Sequence, residues 1–413
     1  MHTDTLAVDF GTSNSAVAAL DGNAVVRIPI EKYAETLPTA VFFPIDKTPM
    51  RIGTAAADAL VDGEAGRYMR SLKSVLGLSL LHELRPVGGR QRTIAEINTD
   101  FLAELRQRAE RTSGQRYRRV LSGRPVRFHS DNTAQDTKAE ADLRACYHAA
   151  GFEDVAFLAE PEAAAISCGG MGVASATGLI VDIGGGTSDF SVFRNVGGRV
   201  EILASHGIRL GGTDFDRAVA MTHAMPELGP GGQLRRDMGE GLLPVPRAPY
   251  FELATWATIP FLYNAKTRRM AAGMARLAVE PEKLARFVSV LELELGHELA
   301  FAVERGKIAA NAGAGSAALD LGFIERGLKA TITQDSLNAT LGDARSQLSK
   351  AIIETLAMAG VRQGDIGRVI LVGGSSLMGF VSAEVSALCP DAKILRSEAF
   401  TAVVDGLALA INR

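Results

Sequence analysis

Apolar runs at residues 5–9 and 15–20 read as two strands on either side of a glycine turn, and runs at 178–182 and 188–193 read as the same pair a second time. The chain therefore reads as a duplication. Between the two pairs, residues 99–111 and 134–150 carry helical periodicity, and Arg119-Val120-Leu121 is a short strand ending at Gly123-Arg124-Pro125. Helices and strands alternate through the first half. The stretch 226–260 is crowded with glycine and proline and is expected to be a loop-rich insertion rather than a core element. Residues 281–310 are expected to form one long amphipathic helix, opened by Pro281 and broken near Gly313-Ala314-Gly315. A further helix is expected over 334–360, a strand over 368–372 running into Gly373-Gly374, and a last helix over 400–411.

Composition narrows the class. At 413 residues and 47% apolar content the chain can build two lobes, each with its own core. A net charge of −3 gives no reason to expect nucleic acid or an anionic membrane as a partner. Met1-His2-Thr3-Asp4-Thr5 lacks a basic leader, and no run of apolar residues is long enough to span a bilayer, so a cytoplasmic location is expected. Cys146, Cys168 and Cys389 lie far apart, which points to reduced, packed thiols rather than disulfides or a zinc site.

The two glycine turns carry the candidate chemistry. Val8-Asp9-Phe10-Gly11-Thr12-Ser13-Asn14 and Val181-Asp182-Ile183-Gly184-Gly185-Gly186-Thr187 each place an aspartate at a strand end, glycine two residues on, and hydroxyl residues nearby. Small residues let backbone N–H groups approach an anion, hydroxyls add donors, and a carboxylate can hold a divalent metal through its water shell. One copy alone is equally a hairpin turn with local Asx-type bonding. Two copies suggest a phosphate chain gripped from both sides: Gly11, Thr12, Ser13 and Asn14 on one side, Gly184, Gly185, Gly186 and Thr187 on the other, with Asp9 and Asp182 sharing a hydrated magnesium. A third strand-to-glycine turn, Val372-Gly373-Gly374-Ser375-Ser376, leads into a helix near Leu377, where a sugar or phosphate could approach the backbone. Its plain alternative is packing.

These three turns, with Glu160-Pro161-Glu162-Ala163-Ala164-Ala165 ahead of the second, resemble the nucleotide-binding domain of the DnaK-type seventy-kilodalton heat-shock chaperones, within the wider group of actin and the sugar kinases. The resemblance spans nearly the whole chain. Leu210-Gly211-Gly212-Thr213-Asp214-Phe215-Asp216 looks like the family's Leu-Gly-Gly-x-Asp-Phe-Asp, the segment from Glu304 to Lys307 resembles its adenosine-contacting helix, and Gly123-Arg124-Pro125 is similar to the short YegD-like branch.

What the resemblance implies is an α/β, actin-like ATPase fold, two lobes each built on a ribonuclease H-like mixed sheet with a central nucleotide cleft. The lobes would be 1–175, with a smaller subdomain at 39–115, and 176–394, with one at 223–302; a C-terminal helix in 395–413 would return to the first lobe, with no peptide-binding domain. ATP or ADP and magnesium are the implied ligands. Lys73, in Ser71-Leu72-Lys73-Ser74, falls where the family reaches the γ-phosphate, and Glu160 where it orients the attacking water, with Asp182 and Thr187 completing the catalytic set. Gly211, Gly212, Glu304, Lys307, Gly373, Gly374 and Ser375 join the nucleotide contacts. Each has an ordinary alternative: Lys73 as a solvated helix lysine, Glu160 as a dipole-favoured first-turn acid, Glu304 and Lys307 as a routine i, i+3 pair.

Two positions depart from the family pattern. Leu377 replaces an arginine and Asn311 a serine, both on the adenosine side, so the phosphate grip is expected to be the intact half. The implied function is a slow, magnesium-dependent, chaperone-like ATPase whose partners are the nucleotide and a client protein or co-chaperone. A small-molecule kinase, a filament-forming protein and a nucleotide-responsive module with little turnover are the alternatives.

Overall fold

Both expected strand pairs form, and each grows into the same sheet. In the first, β1 (Thr5–Phe10) pairs antiparallel with β2 (Asn14–Asp21), and β2 with β3 (Ala24–Arg27), while β4 (Arg119–Arg124) and β5 (Asp154–Ala159) add in parallel on the other side of β1. In the second, β6 (Thr177–Ile183) pairs antiparallel with β7 (Ser188–Val196), and β7 with β8 (Arg199–Ile208), while β9 (Arg368–Val372) and β10 (Lys393–Arg396) add in parallel. The two orders, β3-β2-β1-β4-β5 and β8-β7-β6-β9-β10, are identical in sequence and in direction. The duplication read from two short motifs is thus a duplication of whole mixed sheets.

The structure, a computed structural model, describes residues 4–32, 34–46, 48–130, 132–168, 177–196, 199–313, 316–396 and 401–412. They fall into two compact units, Met1–Gly212 with Ser346–Arg413, and Thr213–Arg345. Both mixed sheets belong to the first unit. The expected lobe boundary at 175–176, the helix break at Ala314 and Gly315 and the helix start at Phe400 lie outside the described residues.

In the first unit the sheets enclose two small-residue helices. Of its helices, α1 (Ile94–Ser113) starts further upstream than the periodicity of 99–111 suggests, because Thr93 and Glu96 close a capping box there. Helix α2 (Thr133–Ala149) follows Asn132, whose side chain accepts the N–H of Gln135. Helix α3 (Glu160–Cys168) leaves β5 directly, and Ala163, Ala164 and Ala165 are fully buried against Val404, Leu407 and Ala408 of the C-terminal helix Ala402–Ala410. A Cβ on Gly406 would sit 1.7 Å from the carbonyl oxygen of Ala163, so only glycine permits this crossing. Ala7, Ala16 and Ala18 of the first sheet and Ile180, Ile370 and Val372 of the second close the same core. Glu160, the first residue of α3, is thereby fixed at the carboxyl end of β5.

Three expectations over residues 226–360 are corrected. The tract 281–310 is two helices, α4 (Pro281–Glu292) and α5 (Gly296–Asn311), separated at Glu294, which has φ 57°. The Tyr263 hydroxyl makes the break, donating to the Glu294 carbonyl and accepting the Gly296 N–H, each at 3.0 Å. Both helices turn apolar faces inward, so the periodicity runs through the break unseen. The stretch 226–260 is not a loop-rich insertion throughout: a largely exposed hairpin, Gln233–Arg235 with Leu242–Pro244, lies between core positions, with Leu228, Tyr250, Leu253, Trp256 and Ile259 buried and Tyr250 stacked on Phe287 at 4.4 Å. Short turns deliver these side chains without a period to read. The helix expected over 334–360 divides at Leu341 into Gln334–Thr340 and Gly342–Met358.

Candidate phosphate site

The two turns have one backbone geometry. Gly11 N–H donates to the Asn14 carbonyl at 3.0 Å, and Gly184 N–H donates to the Thr187 carbonyl at 3.0 Å. In the ladders Phe10 faces Ser15 and Ile183 faces Ser188, so Asp9 and Asp182 hold equivalent strand-end positions. The turns also meet. A Cβ on Gly185 would lie 2.3 Å from Ser13 Oγ, and one on Gly186 would lie 3.0 Å from Thr12 Oγ1. Two loops of backbone N–H groups and hydroxyls are brought face to face with no side chain from the second loop in the way.

The remaining glycines serve this closeness. A Cβ on Gly211 would be 2.6 Å from the Gly186 nitrogen, and Gly212 N–H donates to the Gly184 carbonyl at 3.0 Å. A Cβ on Gly212 would meet Ser375 Oγ at 2.3 Å. Gly373 has φ 78°, and a Cβ there would meet the Ile183 carbonyl at 2.4 Å and Asp182 Oδ1 at 2.7 Å. Gly374 opens the short turn Gly374–Leu377 that ends the strand. At Gly211 and Gly373 the absence of a Cβ lets backbone lie against the second loop and the strand end that leads into it.

Charged groups from distant parts of the chain converge beside the loops. Lys73, on the turn Leu72–Val75, is buried and donates to Glu160 Oε1 at 2.8 Å. Asp182 and Asp189 are buried, and Asp9 is half-buried. Burial pushes the Asp9 carboxyl up to about 7, with Glu160 adding repulsion and Lys73 opposing it. Burial likewise raises Asp182, reinforced by Glu160, Asp189 and Asp9. Asp189 rises to about 8, chiefly through burial and then Glu160, against the hydrogen bonds from Val126 N–H, at 2.7 Å, and from Thr187. Only when ionised would these four carboxyl groups outweigh the one ammonium, and a divalent cation would favour that ionised form by offsetting its charge. Among the described residues no three acid, histidine or cysteine side chains form a group that could hold a metal ion directly. A small cavity of about 30 Å³ is lined by Thr12, Lys73, Gly186, Thr187, His129 and Arg209 among others.

A model of the Hsp70 protein family matches residues 5–230, more than half of the chain and inclusive of both loops, Lys73 and Glu160. The chain belongs to the Hsp70 family. Its fold is the actin-like ATPase fold, and its family is one of ATP-binding chaperones. Similar proteins include the Chaperone protein HscA homolog of Pseudomonas paraeruginosa (strain DSM 24068 / PA7), 35% identical over 53% of this chain and 37% of that protein. The homolog from Pseudomonas fluorescens (strain SBW25) is 33% identical over 68% of this chain and 47% of its own length. This Hsp70-family chain thus spans less than half the length of the curated relatives it matches.

Glu304 and Lys307, expected from the family resemblance to meet the nucleoside, lie in the second unit. Lys307, on α5, donates to Asp216 Oδ1 at 2.6 Å with both side chains buried, and Trp256 Nε1 donates to Asp216 Oδ2 at 3.2 Å. The Lys307 ammonium is neutralised inside its own unit, while Glu304 and Asn311 are half-buried on the same helix. In the first unit Leu377 is 43% exposed. Two buried acids near the expected site residues are not singled out by the sequence reading: Asp189, two residues beyond the second loop, and Asp216, quoted only within Leu210-Gly211-Gly212-Thr213-Asp214-Phe215-Asp216. Residues 188–193 of β7 are buried without alternation, so no local period marks Asp189, which pairs directly with Asp182 across the ladder. Among the described residues no helix is long and apolar enough to cross a membrane.

Proposed function

We propose that this protein binds ATP by its phosphates between the two opposed loops and hydrolyses it slowly, in the service of a chaperone-like role in the cytoplasm. The observation that carries the reading is the direct opposition of Ser13 and Gly185, with the Lys73–Glu160 pair beside them. Backbone N–H groups of 11–14 and 184–187, with the hydroxyls of Thr12, Ser13 and Thr187, would bind the β- and γ-phosphates. Asp9 and Asp182 would hold magnesium through water, and the ion would supply neutralisation of phosphate charge. Lys73 would move its ammonium from Glu160 toward the γ-phosphate as charge shifts there, and the carboxylate so released would orient a water for in-line attack. Glu304 and Lys307 would meet the nucleoside, Lys307 while retaining Asp216. Closure of the lobes 1–175 and 176–394 on the nucleotide would be the output, read by a client protein or co-chaperone.

Lys73→Ala and Asp182→Asn are expected to lower steady-state ATP hydrolysis by at least about tenfold, with circular dichroism unchanged. Wild-type hydrolysis no faster than a heat-inactivated control at saturating magnesium would overturn the reading.

A further inference from the structure

The turn that carries Lys73 is too short to hold itself. It is one 3₁₀ turn, Leu72–Val75, and isolated turns of this kind are weak. It is bounded by two residues in the left-handed region, buried Ser71 at φ 61° and Gly77 at φ 79°. A serine there is strained and persists only where its surroundings impose the conformation. Within the turn Leu76 N–H reaches the Lys73 carbonyl at 3.2 Å, but the carbonyls of Ser74 and Leu76 turn outward to side chains.

Those side chains are Arg209 and His129. Arg209 Nη2 donates to the Ser74 carbonyl at 3.0 Å, and His129 Nε2, which must carry the proton, donates to the Leu76 carbonyl at 2.7 Å. The Arg209 guanidinium also donates to His129 Nδ1 at 3.3 Å, so the ring accepts at Nδ1 and donates at Nε2. Arg209 follows β8 immediately, and its own N–H donates to Ser130 Oγ at 2.6 Å. Gly77 completes the fit, since a Cβ there would stand 3.0 Å from His129 Nε2. Arg209 lies two residues before Gly211, which packs on the second phosphate loop.

We propose that Arg209 and His129 are positioning residues that clamp the Lys73 turn to the end of β8, and so set the Lys73 ammonium in register with the second phosphate loop. The catalytic consequence rests on the hydrolysis proposed above; the clamp itself does not. A displaced ammonium stabilises the transferring phosphoryl group poorly while the loops still bind nucleotide, so the clamp acts on the chemical step more than on affinity.

The test uses the full chain with Arg209→Ala, His129→Phe, which keeps the ring but loses both hydrogen bonds, and His129→Gln, which keeps a donor and an acceptor. Hydrogen–deuterium exchange of the amides of Ser74, Leu76 and Gly77 is expected to accelerate by about tenfold or more in Arg209→Ala and His129→Phe and to stay near wild type in His129→Gln. Unchanged exchange in the first two variants overturns the proposal, whether or not the protein hydrolyses ATP. In single turnover at saturating magnesium-ATP, the same two variants are expected to slow cleavage by about ten- to a hundredfold, with the ATP Kd within about threefold of wild type and His129→Gln largely restored. Wild-type cleavage rates in Arg209→Ala, or a loss confined to Kd, also overturn it. A wild type that does not cleave ATP counts against the proposed hydrolysis alone, and the exchange measurement then decides the clamp.

Discussion

Four carboxyl groups around one lysine make the phosphate site a place where single residues hold opposed tendencies. Folding raises Asp9 from its ordinary value of 3.8 to about 7, and Asp189 from 3.8 to about 8. The folded chain therefore keeps protons that the unfolded chain has already released. Stability from these groups is complete below about pH 4 and is lost as pH climbs through 7 and 8. Without divalent cation, the melting temperature is expected to fall by more than about 3 °C between pH 5.5 and 8.5, measured by scanning calorimetry. Asp189→Asn, which keeps an acceptor for Val126 N–H but cannot titrate, should flatten that slope; a slope unchanged by the substitution contradicts the assignment. None of this was legible in the sequence, where Asp189 is one acid in a short motif. Its pKa depends on burial and on Glu160, brought near by the fold.

At the scale of elements, the chain uses helix ends and short turns to deliver side chains across long sequence distances. The helix start at Glu160 was legible from Pro161 and the alanine run that follows. The break between α4 and α5 was not, because Tyr263, which binds both of its sides, lies in another segment. Helix α5 carries an equally hidden commitment in the buried Lys307–Asp216 pair. Burial raises the Asp216 pKa while Lys307 and Trp256 oppose the rise. Lys307→Met leaves that carboxylate buried without its cation and is expected to destabilise the Thr213–Arg345 unit by about 3–5 kcal/mol near pH 7. Adding Asp216→Leu should recover most of the loss in urea unfolding monitored by Trp256 fluorescence. No recovery in the double variant would mean that Lys307 contributes through something other than this pair.

For the whole molecule, two sheets of one order and two matching glycine turns make a pseudo-symmetric holder, and ligand binding should stabilise it as a unit. Magnesium-ATP at a hundred times its Kd is expected to add about 2.7 kcal/mol of stability, seen as a rise in melting temperature that Asp182→Asn loses in its magnesium-dependent part. An equal magnesium-dependent rise in that variant counts against Asp182 as the metal's partner. The sequence by itself determined the paired loops, the alternation of strands and helices and the family resemblance, because strand ends, turns and caps are written in neighbouring residues. Only the tertiary structure decided that Ser13 faces Gly185, that Lys73 pairs with Glu160, that Tyr250, Leu253, Trp256 and Ile259 are core, and that Arg209 and His129 bond the carbonyls of the Lys73 turn. The reason is physical: periodicity and turn chemistry act over a few residues, whereas burial, opposed loops and ion pairs arise from packing between segments whose separation along the chain carries no trace of their distance in space.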